Sequence, residues 1–220
     1  MKIIINSNNL KRIIPIASKA IPNKPPHPIL LNILIKAEKE ITLTSFDLTF
    51  GIICVIEGEV VEPGEITVPS KILNDIVGKL PNDKECTLAT INNEQNENNQ
   101  IFITDNNVRY VINCLEPLDY INIPKVNDFI YEAKNINPEL FIKLLNHTVD
   151  SVSSEDNKQT LNGIYFTIDS TNEKIEAVST NGQRLAIISV IYDSSEKSET
   201  FNFNIPGKIA KEILLSLIHI

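Results

Sequence analysis

Val68-Pro69-Ser70-Lys71-Ile72 returns 137 residues later as Ile205-Pro206-Gly207-Lys208-Ile209. At the same spacing Ile76 meets Ile213 and Leu80 meets Leu217. Leu73, Ile76, Val77 and Leu80 recur at helical intervals and predict a helix over residues 70–80, with Ser70 as its cap. The second copy predicts a helix over 207–217. A period this long is not a solenoid of short repeats. It predicts one domain present twice.

Upstream of each copy the elements recur in the same order. Leu10, Ile13, Ile14 and Ala17 predict a helix over residues 7–20, capped by Asn8 or Asn9, with Pro15 imposing a kink or a late start. Residues 21–28 hold four prolines, which rules out helix and predicts a stiff, exposed loop. Strands are expected at 29–37, 40–44 and 48–57, and, beyond Pro81, at 86–91, 100–104 and 108–115. The polar run 92–99 reads as a solvated hairpin loop. Residues 116–126 carry two prolines and no period, and read as a linker. The second copy then opens at Asn137-Pro138 with a helix that places Phe141, Leu144, Leu145, Thr148 and Val152 on one face. Strands follow at 161–168, 174–179, 184–192 and 201–206. The domains divide as 1–122 and 132–220, with 123–131 between them. The first copy continues for about 40 residues and three strands past its second helix, a stretch with no counterpart after Leu217. The expected fold class is α+β, each domain packing two helices on antiparallel sheets, with the second domain incomplete and its open sheet edge in need of cover.

Composition narrows the function. The chain has 220 residues, 28 acidic against 20 basic for a net charge of −8, and 42% hydrophobic residues, which is globular rather than disordered. No apolar run reaches the roughly 18 residues of a membrane span, and the N-terminus lacks a signal-peptide pattern. A cytoplasmic protein without membrane partners is expected. Cys54, Cys86 and Cys114 form no CxxC pair, so Cys54 and Cys114 read as small core residues in a reducing compartment. Three scattered histidines, His27, His147 and His219, make no metal set, and no HExxH, GxSxG, Walker A or GxGxxG motif occurs. No catalytic residue, metal or cofactor is therefore expected. A hydrolase or nuclease built on Asp47, Asp105 or Asp156 would lack a paired base or metal-ligand spacing.

Charge is unevenly placed. The four predicted helices carry Lys11, Arg12, Lys19, Lys71, Lys79, Lys143, Lys208 and Lys211 against Asp75, Glu139, Asp150 and Glu212, a net +4 that leaves −12 elsewhere. Mixed charge also suits an ordinary solvated helix face. The sharper reading is a row of helices facing a polyanion, because sequence-independent contact with duplex DNA needs only scattered lysines meeting phosphates. Acidic sheets would turn DNA away from the wrong face. No aromatic platform accompanies the lysines, which argues against a single-strand binder.

Four stretches together carry a family resemblance. They are Ile21-Pro22-Asn23-Lys24-Pro25-Pro26-His27-Pro28-Ile29-Leu30, Ile66-Thr67-Val68-Pro69-Ser70-Lys71, Leu161-Asn162-Gly163, and Val178-Ser179-Thr180-Asn181-Gly182-Gln183-Arg184-Leu185-Ala186. In this order the chain resembles the bacterial DNA polymerase III beta subunits, the sliding clamps, along essentially its whole length. The resemblance implies a DNA-clamp fold in which three-domain protomers pair head-to-tail as a homodimer, with helices lining the hole and sheets outside. It implies a processivity factor that encircles double-stranded DNA. Such a factor tethers the DNA polymerase III alpha subunit, the clamp loader and other proteins bearing a clamp-binding motif. It also implies a non-catalytic accessory subunit, catalogued with the nucleotidyltransferase holoenzyme.

By the same resemblance Lys24, Lys71 and Lys208 match DNA-contacting positions, and Leu161, Thr180, Gly182, Arg184 and Leu185 match the wall of a peptide-binding pocket. Each lysine also fits an ordinary exposed residue, and Leu161 and Leu185 also fit strand core. Glu155 stands where the family often has an amide, Asn181 where it has Asp, and Gln183 where it has an aromatic or His. The third domain, and with it the face that would close the ring, is expected to be absent. The alternative is a clamp fragment acting only as a peptide-binding module.

Overall fold

The computed structural model describes residues 1–91, 99–105, 108–124, 136–154, 159–193 and 200–217. The chain divides into two compact units, Met1–Lys125 and Val126–Ile220.

In the first unit, β1 (Lys2–Asn6) leads into α1 (Ser7–Ala17), followed by β2 (Asn32–Ala37), β3 (Ile41–Phe46), β4 (Gly51–Ile56), β5 (Glu59–Glu62) and β6 (Gly64–Pro69). Then come α2 (Ser70–Lys79), β7 (Glu85–Ile91), β8 (Gln100–Thr104) and β9 (Arg109–Asn113). The strands form two antiparallel sheets, ordered β5-β1-β7-β8-β9 and β4-β3-β2-β6. Alternation along β1, β2, β3 and β8 turns Ile3, Ile5, Ile33, Ile35, Ile41, Leu43, Ile101 and Ile103 into one core shared with Leu10, Ile14, Leu73 and Val77 of the helices. Burying each such side chain is worth about 1.5–3 kcal/mol, so this core outweighs any surface pairing in the unit.

The helix ends differ from expectation. Asn6, not Asn8 or Asn9, caps α1, accepting from the Asn8 N–H at 2.9 Å. Pro15 neither delays the start nor stops the helix, which runs from Ser7 and tightens to a 3₁₀ turn over Ser18–Ala20. Ser70 does not cap α2, whose N-cap is Pro69. Its hydroxyl instead donates to Ser18 Oγ at 2.8 Å, and Asn74 Nδ2 donates to the same oxygen at 2.5 Å, tying α2 to the end of α1. The expected strand from 29 begins three residues late, because Pro28–Leu31 form a 3₁₀ turn. The one expected from 48 begins at Gly51, since Leu48 takes φ +76° in the preceding turn. Cys54 is half-buried, while Cys86 and Cys114 are buried.

The stretch read as linker begins with packed structure. Residues 115–123 cross the outer face of β4-β3-β2-β6. The Thr67 hydroxyl donates to the Leu115 carbonyl at 2.7 Å. Tyr120 is buried against Ile29 and Leu30, with Leu34 and Ile121 beside them. Its hydroxyl donates to the carbonyls of Thr44 at 3.1 Å and Asn32 at 3.4 Å. Burial of the ring pushes the Tyr120 phenol up to about 12.

In the second unit, α3 (Pro138–Thr148) precedes β10 (Gly163–Asp169), β11 (Lys174–Thr180), β12 (Leu185–Ile191), β13 (Phe201–Pro206) and α4 (Gly207–Leu217). Asn137 caps α3 as its Asn-Pro signal implies, accepting from the Glu139 N–H at 2.9 Å. The sheet order, β12-β11-β10-β13, repeats β4-β3-β2-β6 strand for strand. The duplication extends to detail. Ser45 donates to the Ala17 carbonyl at the end of α1, and Ser179 to the Thr148 carbonyl at the end of α3. Phe166 fills the core, stacked on Phe203 with centroids 5.0 Å apart. Among the described residues the second unit shows one sheet where the first shows two. The polar run 92–98 lies outside the described residues, as do Glu155 and Asp156. No helix among the described residues is long and apolar enough to cross a membrane.

Candidate functional site

The helices pack in pairs, α1 with α2 and α3 with α4. Their apolar stripes are consumed by the cores, so charge is left on the remaining faces. Arg12, Lys71 and Lys79 are exposed in the first unit, and Lys143, Lys208 and Lys211 in the second, against the exposed acids Asp75, Glu139 and Asp150. Lys71 and Lys208 occupy matching places, the second residue of α2 and of α4. Lys24 is exposed in the loop between the 3₁₀ turns Ser18–Ala20 and Pro28–Leu31. Glu38, Glu40, Glu57, Glu59, Glu62 and Glu65, all exposed, lie on strands and turns instead. Each unit thus presents a basic helix surface, and the strands and turns of the first carry acid.

The second candidate lies at one end of β12-β11-β10-β13. Thr180 and Leu185 face each other as the last pair of β11 and β12. The hairpin between them is held by side chains: Asn181 Oδ1 accepts from the N–H groups of Gln183 at 2.9 Å and Arg184 at 2.8 Å. Asn181 therefore supplies the acceptor that an Asp would. Thr180 Oγ1 donates to the Arg184 carbonyl at 2.6 Å and accepts from the Gly182 N–H at 3.1 Å. Gly182 takes φ +88°, a conformation that strains any residue with a Cβ. Leu161 ends the 3₁₀ turn that feeds β10, two residues before Gly163. The β10–β11 register pairs Tyr165 with Val178, so two residues further along it sets Gly163 beside Thr180. Leu161, Thr180, Gly182, Arg184 and Leu185 are in this way collected at one sheet end. Leu185 is 63% exposed and so is not core, while Leu161 is half-buried.

Sequence reasoning missed that the apolar surface continues. Ile187 is 59% and Tyr165 49% exposed on the same face, next to Val178. The signal was available, because strict alternation in 163–169 and 185–191 puts these residues opposite the core. The carboxylates on this face are acceptors only. Lys174 and Ser189 hydrogen-bond Glu176, and Asn172 hydrogen-bonds Asp169, holding both below the ordinary carboxylate range. Among the described residues, no three His, Cys, Asp or Glu side chains gather as a metal site.

Profiles of the DNA polymerase III beta subunit match the chain twice, the N-terminal domain over residues 1–124 and the central domain over residues 135–217. The chain belongs to this family. Among its beta-subunit relatives, the beta sliding clamp of Rickettsia bellii is 33% identical over 225 residues, covering 97% of this chain and 54% of that protein. That of Synechococcus elongatus is 27% identical over 216 residues, covering 97% and 55%. The crystal structure described as a DNA polymerase III beta subunit from Eubacterium rectale superposes with a TM-score of 0.84 at 29% identity, covering 97% of this chain and 56% of that one. The chain thus spans about half the length of the beta subunits it matches. The α+β clamp architecture expected from the sequence is the one observed.

Proposed function

We propose that the chain works as part of a cytoplasmic sliding clamp, a non-catalytic processivity factor that assembles head-to-tail around duplex DNA. The observation that carries this reading is the segregation of charge. Basic residues stand on the exposed surfaces of paired helices in both units, with Lys71 and Lys208 at equivalent positions. Contacts of this kind neutralise phosphates without reading bases, which suits a protein that must slide. Lys24, Lys71 and Lys208 approach phosphates in this proposal. The end of β12-β11-β10-β13, with Leu161, Thr180, Gly182, Arg184 and Leu185, takes a short peptide of the polymerase alpha subunit, the clamp loader or another partner. Exposed Leu185 beside a hairpin stiffened by Asn181 supports that role, because a preorganised apolar anchor costs little to bind.

The test is duplex-DNA association measured against salt. Each phosphate contact contributes about 0.9 to the slope of log affinity against log salt. Lys24→Ala, Lys71→Ala and Lys208→Ala should each lower the slope by about that amount, uniformly across DNA sequences. A chain with no salt-dependent association, yet retaining peptide binding, would leave only a peptide-binding module.

A further inference from the structure

Two Asn-Gly pairs occur in the chain, Asn162-Gly163 and Asn181-Gly182. Asparagine is thermolabile, and before glycine most of all, because no Cβ shields the next main-chain nitrogen from the asparagine's own side-chain carbonyl. Sequence alone treats the two pairs as equals. The fold separates them.

Asn162-Gly163 is locked in place. The Asn162 main-chain carbonyl accepts from the Gly207 N–H at 2.8 Å, and Gly163 pairs with Pro206 as β10 begins. Gly163 is buried, with the Asn204 carboxamide where its Cβ would lie. Asn162 Oδ1 is also buried, and among the described residues no donor reaches it. Negative charge developing on that oxygen would have nothing to stabilise it.

Asn181-Gly182 is open and prepared. Gly182 is exposed, and among the described residues nothing lies within 4 Å of where its Cβ would stand. Asn181 Oδ1 accepts from two main-chain N–H groups, those of Gln183 at 2.9 Å and Arg184 at 2.8 Å. The Gly182 N–H donates to Thr180 Oγ1 at 3.1 Å. That hydroxyl donates onward to the Arg184 carbonyl at 2.6 Å, which makes its oxygen a better acceptor. Attack of the Gly182 nitrogen on Asn181 Cγ gathers negative charge on Oδ1 and requires the nitrogen to lose its proton. The hairpin aims two donors at the charge and one acceptor at the proton.

From this geometry we infer that Asn181 is a self-modification site, converting to aspartate in the folded protein while Asn162 persists. A bond forms from the Gly182 nitrogen to Asn181 Cγ, and the bond from Cγ to the side-chain nitrogen breaks. The Gly182 proton passes through solvent to the departing nitrogen, which leaves as ammonia, and a cyclic imide remains. Water then adds at Cγ, whose oxygen still faces the two donors, and the new carbon–nitrogen bond breaks to give aspartate. Addition at the main-chain carbonyl would instead give isoaspartate and insert an extra carbon into the chain between Thr180 and Leu185, which their pairing opposes. Aspartate at this position keeps both acceptor bonds, now charge-assisted, and adds one negative charge to the hairpin.

The experiment incubates the full chain in warm, mildly alkaline buffer, either folded or in urea, and maps its peptides by mass spectrometry with fragmentation that separates aspartate from isoaspartate. In the folded chain Asn181 should convert at least about tenfold faster than Asn162, the rate worth of two modest hydrogen bonds. In urea the two rates should come together. The folded product should be mainly aspartate and coelute on ion exchange with Asn181→Asp, whereas the urea product should be mainly isoaspartate. An Asn181 that stays intact in the folded chain while the unfolded chain converts overturns the inference. So do equal rates in the folded chain, a rate ratio that survives urea, or isoaspartate as the main folded product.

Discussion

Ile53 in the first unit and Ile187 in the second hold matching places on matching sheets, and they are 61% and 59% exposed. A few ångströms away the likeness ends. The first unit lays residues 115–123 over Thr67, Leu30 and Gly51, burying Tyr120. The second presents Leu185 and Tyr165 to solvent among its described residues. Among the described residues the matching sheets differ at single positions of this outer face. Gly51 leaves room for Ile123, whereas Leu185 projects from the equivalent place.

The largest way to break the contrast is to remove the covering ring. Tyr120→Ala should cost about 3 kcal/mol, as truncating a buried aromatic does. Urea unfolding with hydrogen exchange should assign the loss to residues 1–124; a cost under about 1 kcal/mol would mean the segment merely rests on the sheet. Gly51→Val should cost about 2 kcal/mol by driving Ile123 off its seat, leaving exchange in the second unit unchanged. Tyr120→Phe, which deletes one hydroxyl and leaves two carbonyls without it, should cost about 1 kcal/mol.

Alkaline pH sharpens the same point. The Tyr120 phenol ionises near 10 when unfolded and near 12 when folded. The folded state thus favours the neutral form, and its contribution to stability is complete below about pH 10 and lost as pH rises from 10 to 12. Buried Cys114, pushed by burial from 9.0 up to about 12, loses its contribution over a window that opens lower, from about pH 9. Melting temperatures across it should fall less steeply in Tyr120→Phe than in wild type. Smallest of all in stability is Leu185→Ala, within about 0.5 kcal/mol because the side chain is exposed. Its loss should nonetheless weaken peptide binding more than it disturbs the fold.

Most of this fold was legible because its elements announce themselves locally. The Val-Pro and Ile-Pro junctions and the i, i+3, i+4 stripes placed α2 and α4, and the Asn-Pro signal placed the start of α3. What failed depends on partners distant in sequence. β1 and β5 were given no range: Lys2–Asn6 is a short apolar run ahead of a helix, and Glu59–Glu62 is only four residues, paired to β1 from afar. Ser70 looked like a cap because nothing in the sequence shows Ser18 waiting across the helix pair. The peptide-site residues were reached by resemblance. Tyr120 hid in a stretch without periodicity, where one anchoring ring leaves no pattern to read.

Ser45 and Ser179 each bolt a strand to the final turn of the helix in front of it. Sliding that helix by one turn, about 5.4 Å, would strand a buried hydroxyl and a buried carbonyl together. Helix and sheet therefore respond to load as one stiff plate.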